Sequence, residues 1–330
     1  DPAARFLRAA YLYAADFYRA RTPASFDACG LIRAEKDAQK AEKISADPPL
    51  PEAWLEIANP ADAGLEAPAA YRLPQAGLLE PAKAITALTM GCRIVTGRHA
   101  ARVEAGAGTW RVLDDDGAAI AEADIVVIAA GAGVIEFAGA ERLPVQGRRG
   151  ALSIAPYTGP DLPAATGGAY AFSRGGALYF GATFDPAPLD APVLPLAPED
   201  HARNKADLAA LSPVRAAALP AIESWRGRAS TRVTTPDHLP VAGALPDWSA
   251  LAPILEQLAK GMLDRSAVTA PRQQGMFMLA GLGARGLTTA PLLGEFIAAL
   301  AMGDPSPLPP EQVRALDPAR FTLRAAQRRN

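Results

Sequence analysis

Gly281-Leu282-Gly283-Ala284-Arg285-Gly286 sets three glycines at G-x-G-x-x-G spacing between two apolar segments, Met276 to Ala280 and Leu287 to Met302. That order predicts a strand, a tight turn and a helix start. Glycine permits left-handed backbone and close approach of a ligand to the main chain. A helix N-terminus adds unbonded N–H groups and a positive dipole end. The position suits an anionic or electron-rich ligand. It also limits the topology. The helix is followed by Gly303-Asp304-Pro305-Ser306-Pro307-Leu308-Pro309-Pro310, with no second β-run and no acidic residue ending one. The unit therefore does not continue as a βαβ repeat. Alone, the motif reads equally well as a plain strand-to-helix turn.

With 330 residues the chain can build a large core and two intertwined domains. Cys29 and Cys92 offer neither a disulfide framework nor a metal cluster, and fit a reducing compartment. His99, His201 and His238 are too widely spaced for a helical zinc motif, so no metal site is expected. There is no G-x-S-x-G elbow and no Walker A sequence. Chemistry that rests on neither metal nor protein nucleophile points to an organic cofactor. A net charge of −2 announces no polyanion partner. No apolar run is long enough to span a membrane and no export signal is evident, so the expected location is cytoplasmic.

Periodicity predicts a helix over 3–20 with Phe6, Ala9, Ala10, Tyr13 and Phe17 on one stripe, Asp1 as N-cap and Pro2 at the first helical position. A helix over 81–90 and strands over 93–96, 101–104 and 109–113 follow. Ala123 to Gly133 is a β-branched run ending in small residues, and predicts a strand buried on both faces inside a parallel sheet. Residues 150–185 alternate as antiparallel strands; 199–211 reads as a helix, 229–234 as a strand and 250–264 as a helix. The fold class is α/β, with a parallel ligand-binding core interrupted by an antiparallel α+β part. The start at Asp1-Pro2 reads as cut from something longer.

Arg232-Val233-Thr234-Thr235-Pro236-Asp237-His238-Leu239-Pro240-Val241-Ala242-Gly243 resembles the R-x-x-T-x-D-x-x-P-x-x-G segment of the D-amino-acid oxidase and glycine oxidase flavoenzymes. The glycine turn, the terminal Leu316-Asp317-Pro318-Ala319-Arg320-Phe321-Thr322-Leu323-Arg324 and the first helix are similar to one branch. That branch is the oxidoreductase domain of the bifunctional tRNA wobble-uridine enzymes of the MnmC type. The resemblance implies a D-amino-acid oxidase-type FAD-binding fold with an antiparallel substrate sheet. It divides the chain into an FAD-domain helix (1–30), a substrate-domain segment (31–80), an FAD-domain segment (81–140), the substrate domain (141–270) and an FAD-domain C-terminal segment (271–330). Family members open with a βαβ unit that cradles the FAD pyrophosphate, and nothing of that kind precedes Asp1. The expectation is a fold truncated at its N-terminus, with an exposed sheet edge and weak FAD binding by this chain alone. The missing unit, or the methyltransferase domain fused upstream in the family, would come from an upstream segment or another polypeptide. The family's R-G-Q triplet reads Arg149-Gly150-Ala151 here.

The implied reaction is FAD-dependent removal of the carboxymethyl group from 5-carboxymethylaminomethyl-(2-thio)uridine at the tRNA wobble position, leaving aminomethyluridine and glyoxylate. The alternatives are a glycine- or sarcosine-type small-molecule amine oxidase and a flavin-free tRNA-binding remnant. By the resemblance Arg232 clamps the substrate carboxylate; its alternative is a structural ion pair with Asp237. Arg285 is the second catalytic and substrate-binding candidate, and Tyr179 a further substrate residue. Gly281, Gly283, Gly286, Leu287 and Thr288 would hold the flavin and ribityl end, Ala129, Ala130 and Gly131 the adenosine side, and Val103 the adenine. For tRNA, Arg314, Arg320, Arg324, Arg328 and Arg329 form one basic group and Arg142, Arg148 and Arg149 another. Solvated helix faces explain such groups more often, and the tRNA expectation rests on the resemblance.

Overall fold

The computed structural model describes residues 1–137, 139, 142–190, 192–263 and 268–327. The first helix, α1 (Pro2–Arg21), forms as expected, but its buried face runs through Phe6, Ala10, Ala14, Ala15 and Tyr18, with Ala9, Tyr13 and Phe17 only half-buried; the Asp1 carboxylate accepts from Ala3 N at 2.9 Å. The other helices are α2 (Ala38–Ala46), α3 (Pro81–Leu88), α4 (Pro198–Leu211), α5 (Pro213–Ala217), α6 (Trp248–Ala259), α7 (Gly286–Met302), α8 (Pro310–Leu316) and α9 (Arg320–Gln327).

The strands form four sheets. β1 (Phe26–Asp27) pairs with β5 (Leu78–Leu79). The large, mainly antiparallel sheet holds β2 (Leu31–Glu35), β3 (Glu56–Ala58), β4 (Ala69–Leu73), β10 (Gln146–Pro156), β11 (Ala165–Thr166), β12 (Tyr170–Arg174), β13 (Ala177–Gly181), β14 (Asp185–Ala187) and β15 (Arg226–Thr234). A meander joins β6 (Arg102–Ala105), β7 (Trp110–Leu113) and β8 (Ala119–Ala123). The last sheet has the order β16 (Val241–Pro246), β17 (Arg272–Ala280), β9 (Val126–Ile128), with β17 and β9 parallel.

Two cores matter for the site. Phe6 and Ala10 of α1 pack with Leu292, Leu293, Phe296 and Ile297 of α7 and with Phe277 of β17, which fixes the helix that follows the glycine turn. Each of these large side chains contributes about 1.5–3 kcal/mol on burial. On the antiparallel sheet, α4 covers one face. Its Asn204 donates to Ala151 O and Ser153 Oγ, both at 2.9 Å, and Ser153 Oγ lies 2.7 Å from His201 Nδ1. Arg149 makes a two-pronged pair with Asp200 at 2.8 and 2.9 Å on the same side. The opposite face of β10, β13 and β15 is left to the site.

Two expectations fail at the parallel sheet. The run from Ala123 does not lie mid-sheet: β9 is short and outermost, pairs only with β17 among the described residues, and leaves Ile125 and Val127 39% and 44% exposed. Residues 93–96 form no strand, and Ile94 is 64% exposed. Both sequences carry β-branched side chains suited to a sheet, but a strand needs a paired neighbour to satisfy its N–H and C=O groups. No described segment supplies one on that side of β9.

Candidate active site

β9 and β17 run parallel, so their C-terminal ends open on the same side. In open α/β sheets that edge is where ligands sit. Ala129, Ala130 and Gly131 follow β9 there and are exposed, and a Cβ built at Gly131 would meet nothing within 4 Å. The glycine turn follows β17. Gly281 and Gly283 have φ of +69° and +57°, and Gly283 to Arg285 form one 3-10 turn before α7 begins at Gly286. No side chain caps α7; the Thr289 hydroxyl instead donates back to Arg285 O at 3.0 Å. The amides of Leu287 and Thr288 are left without an α-helical acceptor. Tyr18 of α1 steadies the turn from outside by donating to Leu287 O at 2.7 Å.

β15 brings Arg232 to this edge. Beyond Arg232 the strand reaches Thr234 and Thr235, and these press on the glycine turn: a Cβ at Gly281 would stand 2.8 Å from Thr235 Cγ2, and one at Gly283 3.4 Å from Thr234 Cγ2. Gly281→Ala therefore meets both left-handed backbone and an occupied space. It should cost about 1–2 kcal/mol of stability and lower flavin retention, read by a thermal melt and by absorbance after desalting.

Arg232 is half-buried. Its guanidinium donates to Thr183 O at 3.3 Å and lies 5.9 Å from the Phe184 ring centroid. It makes no ion pair with Asp237, because Asp237, in the loop after β15, is taken by arginines of the C-terminal helix α9. Arg320 donates to both oxygens of Asp237, at 2.9 and 3.0 Å, and Arg324 adds a third bond at 2.8 Å. Burial acts to raise the Asp237 carboxyl, but the Arg320 and Arg324 guanidinium groups override it and hold it at about 2. The alternative of a structural Arg232–Asp237 pair is thus overturned, and Arg232 has a fork of donors free for a planar anion.

What lets Arg232 lie where it does is Gly150, opposite Ser230 on β10. A Cβ there would fall 1.6 Å from Arg232 Nη1 and 2.3 Å from its Cζ. The guanidinium lies flat over the bare glycine backbone. Sequence reasoning passed over Gly150, although the R-G-x triplet was in view; no pattern within one strand shows which arginine crosses it from the next. Gly150→Ala should leave the fold standing, since a side-chain tip can move aside, yet displace the Arg232 guanidinium. The expected result is a KM for a carboxylate substrate raised about 10-fold or more, with an unchanged melting temperature.

The remaining site expectations divide. Tyr179 lies on the same face as Leu152, Ile154 and Arg232, with its ring stacked on Phe172 at 4.9 Å and 3°. Arg285 is exposed at the start of α7 and makes no ion pair among the described residues. Val103 turns its side chain into the cluster of Ile128, Val134 and Met278, which leaves only its backbone for a ligand. Among the described residues the two basic groups are broken up by ion pairs and burial. Arg320 is 2% exposed and tied to Asp237, Arg324 shares that carboxylate, and Arg149 is committed to Asp200. Arg142 lies 5.3 Å from the Trp248 ring centroid. Arg328 and Arg329 lie outside the described residues. Among the described residues no cluster of potential metal ligands is found, and no helix is long and apolar enough to cross a membrane.

The FAD dependent oxidoreductase family, which includes D-amino-acid oxidase, matches residues 2–300. The chain belongs to this family. Among curated relatives of this oxidoreductase is the tRNA 5-methylaminomethyl-2-thiouridine biosynthesis bifunctional protein MnmC of Chromobacterium violaceum. The two are 33% identical over 350 residues, covering 99% of this chain and 52% of the relative. The oxidoreductase spans about half the length of the curated relatives it matches. Its fold is shared with glycine oxidase from Geobacillus kaustophilus, at a TM-score of 0.69 and 19% identity over 97% of this chain and 82% of that one. Iminodiacetate oxidase from Chelativorans sp. BNC1 gives 0.69 and 18%, over 94% and 84%. The residues present fit the flavin end of FAD: unbonded amides at the start of α7, left-handed glycines and open backbone beyond β9.

Proposed function

We propose that this oxidoreductase removes the carboxymethyl group from a carboxymethylaminomethyl-uridine at the wobble position of tRNA. The observation that carries the reading is Arg232, a half-buried guanidinium with no carboxylate partner among the described residues, on the strand that packs against the glycine turn. An N-carboxymethyl amine presents a carboxylate one carbon from the C–H bond to be broken. Two parallel charge-assisted bonds from Arg232 would hold that carboxylate and so fix the methylene.

The chemistry FAD supplies when bound is acceptance of a hydride from the carbon beside the amine. Overall, R–NH–CH2–COO⁻ and water become R–NH2 and glyoxylate, and two electrons and two protons leave. The chain's own groups orient and bind. Leu287 and Thr288 would donate amides to flavin oxygens, Gly281, Gly283 and Gly286 admit the ring system, and Ala129 to Gly131 allow contact beyond β9. Arg285 would add positive charge beside the ring, and Tyr179 walls the substrate side. A neutral amine needs no protein base.

The pyrophosphate end needs a further element. A strand–turn–helix unit pairing with the free edge of β9 would satisfy that edge and cover Ile125 and Val127. We place the source of this unit in another segment of the protein or in a partner chain; adding it should raise both flavin retention and melting temperature.

The test is incubation with FAD and tRNA carrying 5-carboxymethylaminomethyl-uridine, with glyoxylate and the nucleoside products measured by mass spectrometry. The reading expects both products. Turnover of free glycine, sarcosine or iminodiacetate with none of the tRNA would replace it by a small-molecule oxidase. Absence of any flavin-dependent turnover would leave a tRNA-binding remnant.

A further inference from the structure

The arginines of the antiparallel sheet are sorted by face. On the side covered by α4, Arg149 pairs with Asp200, and Arg203 of α4 pairs with Asp185. On the open side, the cross-strand register aligns Arg226 with Ile154, Tyr179 and Phe172, and Arg228 with Leu152, Gly181 and Tyr170. Arg232 stands opposite Arg148 on the same face. None of Arg148, Arg226, Arg228 and Arg232 makes an ion pair among the described residues. Arg226 and Arg228 are exposed, and Arg148 is held only by Gln146 and the Phe184 ring. No Asp or Glu occupies any open-face position of β10, β12, β13 or β15; only Arg174, at the far end, is neutralised, by Asp27 and Glu80.

In a chain of net charge −2, four uncompensated guanidinium groups on one sheet face are a local reversal of sign. Beside them the Phe172 and Tyr179 rings stack face to face at 4.9 Å, with Tyr179 two strands, or about 10 Å, from Arg226. Paired cationic and aromatic groups on a sheet suit single-stranded nucleic acid, whose phosphates meet the cations and whose unpaired bases stack. Duplex RNA keeps its bases stacked inside and cannot extend this stack.

We infer that this open face binds single-stranded RNA beside the modified nucleotide, with Arg226 and Arg228 taking phosphates and an unpaired base extending the Phe172–Tyr179 stack. The inference rests on the tRNA reading above and adds where the loop lies. Arg228 and Arg226 extend along β15 about 13 and 20 Å from Arg232, so a nucleotide whose side chain reaches the clamp has its neighbours over this face.

The test is fluorescence anisotropy with a fluorescein-labelled RNA stem-loop, titrated at several KCl concentrations, against a labelled duplex of the same length. The Arg226→Ala/Arg228→Ala pair should bind the stem-loop at least about 10-fold more weakly. It should also flatten the log–log salt slope by about 1.4, the value for two phosphate contacts on a single strand. Arg226→Lys/Arg228→Lys should keep the wild-type slope. Phe172→Leu should weaken binding about 5-fold or more, the lower end of a base-stacking contribution, with the slope unchanged. Far-UV circular dichroism confirms that each variant is folded. Wild-type affinity and slope in the alanine pair would overturn this inference alone, as would equal affinity for the duplex. A wild-type protein that binds no RNA would overturn the tRNA reading with it.

Discussion

Arg232→Ala should lower kcat/KM for an N-carboxymethyl amine by about 100-fold or more, while FAD absorbance and the melting temperature stay near wild type. A buried or half-buried charge pair that loses one member costs about 2–5 kcal/mol, and every 1.4 kcal/mol is tenfold. The effect should fall on both parameters. The carboxylate loses its anchor, which raises KM, and the methylene loses its alignment, which lowers kcat. Arg232→Lys should recover only part of the loss, because an ammonium cannot make two parallel bonds to one carboxylate. Stability should hold, since Arg232 makes one long bond to Thr183 O and no ion pair. A fully active alanine variant would remove Arg232 from the site.

Asp237→Ala should act in the opposite way, on stability first. Arg320 is 2% exposed and bonds both Asp237 oxygens, and its remaining donors reach Leu316 O and Leu239 O. Removing the carboxylate leaves a buried guanidinium without its counter-charge, a loss of about 3–5 kcal/mol. Thermal or urea unfolding reads this directly. The pH dependence has a definite sign. The folded carboxyl is held at about 2, below its ordinary 3.8. A depressed carboxyl contributes stability above its unfolded value and loses it as pH falls. The contribution, roughly 2 kcal/mol at one unit per 1.36 kcal/mol, should be whole above pH 5 and disappear between about pH 4 and 2. Asp237→Asn should lose less of its unfolding midpoint than the wild type across that window, the remaining acid sensitivity coming from other depressed carboxyls such as Asp200.

These two residues show how far the sequence could be read. Arg232 and Asp237 lie in one recognisable segment, which offers Arg232 either as a carboxylate clamp or as the ion-pair partner of Asp237. Which partner Asp237 takes is not visible in it, because Arg320 lies 83 positions away and reaches it only through the packing of α9. The segment and the terminal Arg320/Arg324 signature are thus two halves of one structural lock. Local signals did well where the cause is local: the Asp1 cap, the α1 helix and the glycine turn all follow from neighbours in sequence. The β9 run misled because burial on both faces is a property of neighbours that strand composition can only presuppose. Gly150 was invisible for the related reason that its constraint comes from Arg232 across the sheet.

The most direct test of the account is an anaerobic titration of the FAD-loaded protein with tRNA bearing 5-carboxymethylaminomethyl-uridine, followed by the visible flavin band. The account predicts that the band bleaches in proportion to the tRNA added, that unmodified tRNA has no effect, and that glyoxylate appears with the bleaching. A flavin band that survives desalting but is untouched by the modified tRNA would contradict it.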